Sequence, residues 1–394
     1  MNPILKGYRV LDFGRYIAAP YCAALLGQLG ADVIRIERPN GSEDRYIAPI
    51  TEQGDGALFM QMNAGKRGMT LNIAKPAGRE IVKQLVATAD VVVANLPPNV
   101  LKKLNLDYEA LQAIKPDIIL TANSAFGSTG PYANRPGFDG IGQVMSGATW
   151  FSGHLGQPAK AAVHYVDYSS ALSATIGTLA ALMARQQTGK GQIVETSLLN
   201  TALTLMNGSL IEQAVTQINR QPSGNRGQTA APADIFATQD GHIIVQVVGP
   251  YIFKRLATLM NEEAWLTDTR FKDDTARGHH REILCARVAA WCAERHSETA
   301  LSELEANRIP CGPVLSLQDA LDHPVIQATD AFEAISYPGA ARPIPIVKSP
   351  FRLSQTPILS ASRAPTVGEH TRQILQELGY NPAQINELQN NQII

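Results

Sequence analysis

The chain has 394 residues, 45% of them hydrophobic, and its 34 basic and 35 acidic side chains nearly cancel. This length is sufficient for two or three domains. The neutral balance argues against a nucleic-acid-binding protein and against a polybasic membrane-surface protein. The longest apolar stretch, Ala171–Met183, is too short and too rich in Ser and Thr to span a bilayer. We therefore expect a soluble, cytoplasmic α/β protein that acts as an enzyme.

The cysteine pattern agrees with a reducing compartment. The four cysteines form no CxxC motif, and no HExxH or comparable cluster predicts a metal site. The N-terminus has no signal-peptide pattern. We expect the thiols to behave as small buried hydrophobic groups. These residues are Cys22, Cys285, Cys292 and Cys311.

Short apolar runs alternate with amphipathic segments over the first 130 residues. This alternation is typical of βαβ units and a parallel sheet, and the almost wholly apolar strands predict cover on both faces. The predicted elements are strand Tyr8–Phe13, helix Ala18–Leu29, strand Asp32–Ile36, helix Ala77–Ala89, strand Val91–Ala94, helix Tyr108–Ile114 and strand Ile118–Thr121.

The remainder of the chain mixes helices with a hairpin. A loop rich in Gly, Pro and Ser at 220–233 predicts a domain boundary. The dipeptide Asp240-Gly241 predicts a hairpin turn. The other predictions, in chain order, are helix Ser170–Arg185, strand Ile193–Ser197, one long helix to about Val215, strands Ile235–Ala237 and His242–Val248, helices within 250–306, a turn at Pro310–Pro313, strands within 334–353 and a last helix Thr371–Leu378.

Several nucleotide and nucleophile motifs are missing. Gly14 follows the first strand, where a dinucleotide-binding loop would begin, but the segment lacks GxGxxG. Walker A and GxSxG are also absent. A nicotinamide dehydrogenase, an ATP-dependent phosphotransferase and an α/β-hydrolase are therefore disfavoured.

Basic residues lie in or beside the segments that follow the predicted strands. Ligands bind at the carboxyl edge of parallel sheets, so these cations could bind a phosphate-bearing cofactor. A solvated rim of charges is an equally weighted interpretation. The residues are Arg35, Arg38, Lys66, Arg67, Lys102 and Lys103.

Asp167 lies near the start of a predicted helix, in HYVDYSSALSATIG. A helix N-terminus stabilises a carboxylate, so from spacing alone a capping aspartate is the simpler interpretation. A catalytic carboxylate is the alternative.

Six segments, in order and over nearly the whole chain, resemble the class III CoA-transferase family. This family includes formyl-CoA:oxalate and carnitine CoA-transferases, and α-methylacyl-CoA racemases are its relatives. The segments are LDFGRYIAAPYCAALLGQLGADVIRIERPNGSEDR, KRGMTLNI, ADVVVANLPPNVLKKLNLDYEAL, FGSTGPYANRPGFDGIGQVMSG, VDYSSALSATIGTLAALMARQQTGKGQIVETSLL and IPCGPV.

The resemblance implies an architecture. It predicts a Rossmann-like parallel sheet in a large domain plus a smaller α+β domain, in an interlaced homodimer. The large domain would carry the nucleophile in 1–220, the small domain would span 221–330, and 331–394 would return to the large domain.

The resemblance also implies the site. Asp167 falls on the family aspartate that is acylated, and Gly249 falls on a loop that covers it, although a strand-ending glycine is an equal interpretation. No metal or tightly bound cofactor is expected, with coenzyme A, an acyl-CoA and a small carboxylic acid as substrates. The residues expected to line the CoA site are Ile17, Ala18, Ala19, Arg38, Lys66, Asn95, Leu96 and Lys103.

The implied reaction moves CoA from an acyl-CoA to an acid through an aspartyl-CoA thioester. Two alternatives stay open, an acyl-CoA racemase or epimerase and a non-catalytic CoA-binding relative. The racemase bases, a histidine and a glutamate, are replaced by Phe138 and Gly249. Ile17 replaces the glutamine of the formyl-transferring enzymes, and Lys103 replaces a common arginine. Succinyl-CoA is the expected donor only because it is abundant.

Overall fold

The computed structural model describes residues 2–360 and 362–394. The strands are β1 (Arg9–Asp12), β2 (Asp32–Glu37), β3 (Arg67–Thr70), β4 (Val91–Ala94), β5 (Ile119–Ser124), β6 (Gly153–His154), β7 (Gln157–Pro158), β8 (Ile193–Ser197), β9 (Ala233–Ala237), β10 (His242–Gln246), β11 (Cys311–Pro313), β12 (Phe332–Ile335) and β13 (Ile344–Val347). The helices are α1 (Ala18–Gln28), α2 (Ala57–Asn63), α3 (Pro76–Ala87), α4 (Pro98–Leu104), α5 (Tyr108–Ile114), α6 (Asp139–Met145), α7 (Ala148–Phe151), α8 (Tyr165–Thr188), α9 (Leu198–Leu205), α10 (Asn207–Thr216), α11 (Pro250–Leu259), α12 (Asp274–His279), α13 (Arg281–Ala293), α14 (Ser297–Ala306), α15 (Leu317–Asp322), α16 (Pro324–Ala328), α17 (Thr371–Glu377) and α18 (Pro382–Asn390).

The described chain divides into two compact units. The first contains the residues up to Ser146, Ala161–Asn207 and Ala328–Ile394. The second contains Gly147–Lys160 and Gly208–Gln327. Each unit therefore includes segments that are far apart in sequence.

A six-stranded sheet in the order β3-β2-β1-β4-β5-β8 forms the centre of the first unit. All neighbouring strands are parallel. Alternate side chains of β1 lie on opposite faces, so Leu11 joins the core under α3 and α5, whereas Val10 joins the core under α1 and α8. Both faces are covered, as the apolar strands predict, and the α/β class is confirmed.

The strand order reverses between β1 and β4, because β2 and β3 lie on one side of β1 and β5 and β8 lie beyond β4. Loops that leave the carboxyl ends of strands diverge at such a point and leave a crevice. The loops after β1 and β4 therefore define where a ligand can enter the sheet edge.

The second unit contains an antiparallel sheet in the order β11-β10-β9. The predicted hairpin is confirmed, since Ile244 of β10 pairs with Ile235 of β9. The predicted turn at Pro310–Pro313 is wrong. Cys311–Pro313 pairs with β10 as an edge strand, a position that tolerates a proline with no N–H.

Two predicted helices differ from the observed ones. The long helix to about Val215 is two helices, because α9 ends at Leu205 and α10 starts at Asn207. The helix predicted to start at Ser170 begins five residues earlier, at Tyr165. The cause of this earlier start lies at the candidate site described below.

A buried network of charges lies beneath the loop after β1. The carboxylate of Asp12, at the end of β1, accepts a hydrogen bond from the Lys66 ammonium at 2.7 Å and lies 3.8 Å from Arg35. Arg35 also contacts Asp44 at 3.0 Å. Burial raises the pKa of Asp12, but Lys66 and Arg35 outweigh it and hold this pKa below its usual range.

Removal of one partner from this network should be strongly destabilising. Lys66→Met leaves the buried Asp12 carboxylate without its closest cation, so we expect the free energy of unfolding to fall by about 3–5 kcal/mol. Urea denaturation measures the change. Lys83→Met is the matched control, since Lys83 is exposed in α3 and should change stability by less than about 0.5 kcal/mol. Equal effects of the two substitutions would contradict the assigned network.

Candidate functional site

The loop from Gly14 to Ile17 leaves β1 at the crevice and is held by the buried charges. Asp12 accepts the N–H of Gly14 at 2.8 Å, and Asp44 accepts the N–H of Tyr16 at 3.1 Å. Arg35 donates to the carbonyl of Gly14. Tyr16 has a φ of +63°, a left-handed conformation that a non-glycine residue adopts at a cost. These contacts therefore impose the path of the loop.

Asn95, directly after β4, connects the two sides of the crevice. Its side-chain oxygen accepts the N–H of Arg15 at 2.8 Å, and its side-chain nitrogen donates to the carbonyl of Arg15 at 2.7 Å. Both polar atoms of the amide are thus used within the protein. Asn95 positions the loop after β1 at the carboxyl edge of the sheet.

Asp139 caps the N-terminus of α8. Its carboxylate accepts the N–H of Val166 at 2.8 Å and that of Asp167 at 3.2 Å. N–H groups in the first turn of a helix have no carbonyl acceptor within the helix. Because Asp139 accepts two of them, α8 can begin at Tyr165. The capping aspartate expected at Asp167 is therefore a wrong interpretation, because residue 139 caps this helix.

The carboxyl of Asp167 is buried and weakly solvated. Among the described residues, its nearby hydrogen-bond donor is the backbone N–H of Asp139. Burial, together with the negative charge of Asp139, raises the pKa of Asp167 to about 7, and this one N–H only partly offsets the two effects. The group is thus a carboxylate of unusually high basicity.

Asp167 lines a cleft of about 250 Å³ at the carboxyl edge of the sheet. Tyr16 and Phe138 both line this cleft, and their rings pack edge to face with centroids 5.1 Å apart. Loops after β1, β2, β4, β5 and β8 all contribute to it. The cleft is lined in part by Arg15, Glu43, Asn95, Asn123, Arg135 and Asp167.

A larger cleft of about 780 Å³ adjoins the first, since Arg15 and Leu96 line both. Arg38 lines only the larger one, where its side chain is 62% exposed and its guanidinium lies 3.6 Å from Glu43. The larger cleft is suited to a long ligand, and it opens beside the small cleft that contains the Asp167 carboxyl.

The other predicted CoA residues differ in accessibility. Lys66 is buried, and its ammonium donates to Asp12, to the Pro20 carbonyl and to Asn63. An ammonium has three donors, so this conformation leaves none for a phosphate. Lys103 is exposed on α4, next in sequence to Leu104, which lines the larger cleft. Contact of either residue with CoA stays a prediction.

The residues at the start of α1 are also buried. Ile17 and Ala18 are 3% exposed and Ala19 is fully buried, and only Ala18 lines the smaller cleft. A ligand could therefore reach this segment through the backbone N–H groups of the first helical turn.

Gly249 belongs to the second unit. It has a φ of +84°, and its N–H donates to both carboxylate oxygens of Asp274 at 3.0 Å. The residue precedes α11, so the local geometry explains a glycine at this point. Its role as a cover for Asp167 stays a prediction.

Sequence reasoning missed six residues of this site. Arg15 and Tyr16 lie in the loop after β1, and Glu43 lies after β2; these positions beyond strand ends could have signalled them. Asp139 lies in the GFDG segment, in which the sequence analysis considers only Phe138. Asn123 and Arg135 belong to no recognisable motif, and only the fold places them in the same cleft as Asp167.

The described part of the chain offers neither a metal site nor a membrane-spanning helix. No group of three or more His, Cys, Asp or Glu side chains there could hold a metal ion. No helix there is long and apolar enough to cross a membrane.

Comparison with known proteins identifies the family. The family model for CoA-transferase family III matches residues 5–371, and the chain belongs to this family. The resemblance derived from the sequence is thereby confirmed. Proteins of this family transfer CoA between acyl-CoA thioesters and organic acids, and the chain is a CoA-transferase.

Individual relatives cover nearly the whole chain. A succinate–glutarate CoA-transferase of Agrobacterium fabrum is 32% identical over 96% of each chain. A succinyl-CoA:mesaconate CoA-transferase of Haloarcula hispanica is 33% identical over 95% of this chain and 96% of its own. The crystal structure of a CaiB/BaiF family protein from Brucella suis superimposes with a TM-score of 0.84 at 32% identity, covering 96% of this chain and 100% of that one.

The raised pKa of Asp167 predicts a pH-dependent stability difference. The folded state retains the proton up to about pH 7, whereas an unfolded aspartate releases it near pH 4. Ionisation therefore costs the wild-type fold stability as the pH rises between these values, and Asp167→Asn avoids that cost. We expect the variant to be more stable at pH 8, by up to about 4 kcal/mol, and equal to wild type near pH 4.

Thermal unfolding at pH 4, 5.5 and 8 checks this expectation. Asp322→Asn, at an exposed position of α15, is the matched control and should follow wild type at each pH. A variant at residue 167 that is less stable than wild type at pH 8 would refute the assigned environment.

Proposed function

We propose that this chain transfers CoA through a covalent aspartyl-CoA thioester on Asp167. The observation that carries the proposal is the placement of this buried, basic carboxyl in a small cleft that adjoins a larger one. The larger cleft is the proposed site of the coenzyme, with Arg38 and Lys103 near its phosphates and Asn95 and Leu96 beside its chain.

The chemistry is nucleophilic catalysis by a carboxylate. A carboxylate oxygen of Asp167 attacks the acyl-CoA carbonyl, the C–S bond breaks, and a mixed anhydride and CoA thiolate form. The thiolate then attacks the aspartyl carbonyl and releases the donor acid, which leaves the aspartyl-CoA thioester. The acceptor carboxylate reverses both steps, so the thioester bond energy is retained and no ATP is consumed.

The environment of Asp167 suits this reaction. A nucleophile of higher basicity is stronger once ionised, and a pKa near 7 still leaves a large ionised fraction at neutral pH. The residue is only 8% exposed, which restricts hydrolysis of an anhydride by water.

A racemase would need a second base at the α-carbon. The described residues that line the smaller cleft include no histidine, and Phe138 occupies the position of the racemase histidine. Glu43 is the other carboxylate of this lining, and it pairs with Arg15 at 2.6 Å. Nothing in this geometry favours proton transfer at carbon.

The relatives' names support a dicarboxylic substrate. They act, by name, on succinyl-CoA with glutarate, mesaconate, malate or citramalate. We propose succinyl-CoA as donor and a short dicarboxylic acid as acceptor. The proposed compartment is the cytoplasm, in keeping with four free cysteine thiols.

A homodimer is part of the proposal. Leu172, Ile176 and Met183 form an apolar stripe on α8 and are 40%, 69% and 65% exposed. Their spacing places them on one face of α8, a helix that packs against the edge strand β8. An exposed stripe of this kind on a long helix is typical of a protein interface.

Replacement of the nucleophile should abolish transfer without loss of CoA binding. Asp167→Asn and Asp167→Ala should lower kcat by at least about a thousandfold, because neither side chain forms the thioester. Transfer from succinyl-CoA to glutarate is followed by liquid chromatography, and CoA affinity by calorimetry. The control Asp322→Asn should retain full activity. An active variant at residue 167 would disprove the proposed nucleophile, and a wild-type chain that binds CoA but transfers it to no acid would support a binding protein.

The oligomeric state tests the proposed homodimer. Light scattering coupled to size-exclusion chromatography should give twice the chain mass. Ile176→Lys should shift the protein toward monomer or aggregate, because a charge on the apolar stripe would be desolvated at the interface. Lys83→Met, on α3, is the control surface change. A wild-type monomer across micromolar concentrations would exclude the homodimer.

A further inference from the structure

One cation of the smaller cleft has no partner within the described part of the chain. Arg15 and Glu43 neutralise one another at 2.6 Å. Arg135, in the loop between β5 and α6, also lines the cleft, and its guanidinium has no hydrogen bond or ion pair with any described residue. The side chain of Arg135 is exposed, so an anion that enters the cleft can reach it. The cleft therefore contains an accessible guanidinium that no described carboxylate pairs with.

The guanidinium of Arg135 is supported by an aromatic pair. It lies over the ring of Tyr132, with 3.8 Å between its central carbon and the ring centroid. Tyr132 in turn meets Phe126 edge to face, with centroids 5.4 Å apart. Stacking of this kind restricts the plane of a guanidinium but uses none of its five N–H donors. The group is thus oriented and free to bind a carboxylate bidentately.

Asn123 provides a second, independent observation. It lies near the end of β5, lines the same cleft and is 2% exposed. Its side-chain nitrogen is buried and has no acceptor among the described residues. A buried, unpaired amide is costly and requires an explanation such as a polar ligand.

We propose that Arg135 is the specificity-determining residue of this transferase, because it binds the remote carboxylate of a dicarboxylic acid whose other carboxyl reacts at Asp167. The amide of Asn123 donates to an oxygen of the same acid. The inference rests on the proposed function. The cleft volume of about 250 Å³ accommodates a short acid and not the coenzyme, which needs the adjoining larger cleft.

The test compares two acceptors of equal chain length, succinate and butyrate, which differ by one carboxylate. In a double-displacement mechanism, kcat/KM for the acceptor reports only its reaction with the aspartyl-CoA enzyme, so the donor does not bias the ratio. Wild type should prefer succinate. Arg135→Ala should lower kcat/KM for succinate at least about a hundredfold and that for butyrate less than about threefold, so the ratio collapses.

Two further variants distinguish recognition from a structural effect. Arg135→Lys keeps the charge and loses the bidentate fork, so it should restore only part of the succinate preference. Arg342→Ala removes an exposed arginine elsewhere and should leave both acceptors unchanged. An equal loss for succinate and butyrate in Arg135→Ala, or an unchanged ratio, overturns the proposal.

Asn123→Leu separates ligand binding from stability. Removal of a buried, unpaired amide should raise the melting temperature, while kcat/KM for succinate should fall at least about tenfold. A rise in stability with unchanged turnover would remove Asn123 from the site.

The outcomes also separate this inference from the proposed function. An active Asp167→Asn variant defeats the proposed function, whatever Arg135 does. An inactive Asp167→Asn variant, with an unchanged succinate-to-butyrate ratio in Arg135→Ala, defeats only the specificity assignment. If wild type uses neither acid, the change in melting temperature on addition of succinate or butyrate tests the role of Arg135. Stabilisation by succinate alone that is lost in Arg135→Ala supports the assignment, and equal or absent shifts overturn it.

Discussion

The contact between Asp139 and the first turn of α8 is the constraint on which the site depends. The Asp139 carboxylate takes the backbone N–H groups of Val166 and Asp167, which would otherwise be available to an anion at this helix end. The cap also places a negative charge close to the Asp167 carboxyl. One contact thus starts the helix and positions Asp167. Burial of the Asp167 carboxyl, reinforced by the charge of Asp139, raises its pKa. A carboxyl in such a setting is poorly stabilised as a free anion, which suits the proposed conversion to a neutral thioester.

The sheet topology then assembles the rest of the pocket. Arg15, Asn95, Asn123 and Asp167 are separated by long stretches of sequence, yet they meet because parallel strands end at one edge. The buried charges of Asp12, Arg35, Lys66 and Asp44 fix the loop that closes this edge. Burial of these charges costs desolvation free energy. In return, their contacts hold the loop in a strained path that includes the left-handed conformation of Tyr16. Stability and function are therefore coupled at this loop.

The elements predicted from local patterns were largely confirmed where periodicity was strong. The strands Val91–Ala94 and Ile193–Ser197 and the helix Tyr108–Ile114 match residue for residue. The edge strand β3 was missed because RGMT is short and lacks an apolar run. Helix α18 was also missed, although Asn381 and Gln384 form a capping box that could have signalled its start.

The functional roles of charged residues were harder to predict, because an ion pair joins residues that are distant in sequence. Lys66 and Arg35 are similar to Arg38 in a linear pattern, but the fold buries the first two against Asp12 and leaves the third in a cleft. The proposed role of Asp167 as the nucleophile comes from the resemblance alone. Its local spacing indicates a cap, and the tertiary contact with Asp139 explains why the Asp167 carboxyl does not cap this helix.

Isotope transfer into the protein tests the central claim most directly. The enzyme is incubated with an acyl-CoA and an acceptor acid whose carboxylate carries ¹⁸O, and the peptide that contains Asp167 is analysed by mass spectrometry. Attack of the labelled acid on the aspartyl-CoA thioester, followed by attack of the thiolate on the acyl carbonyl, leaves one labelled oxygen in the Asp167 carboxylate. The account predicts that this peptide gains one ¹⁸O atom in the first turnover and at most two after many turnovers. Turnover with no label in the protein, or with label in another residue, would contradict it.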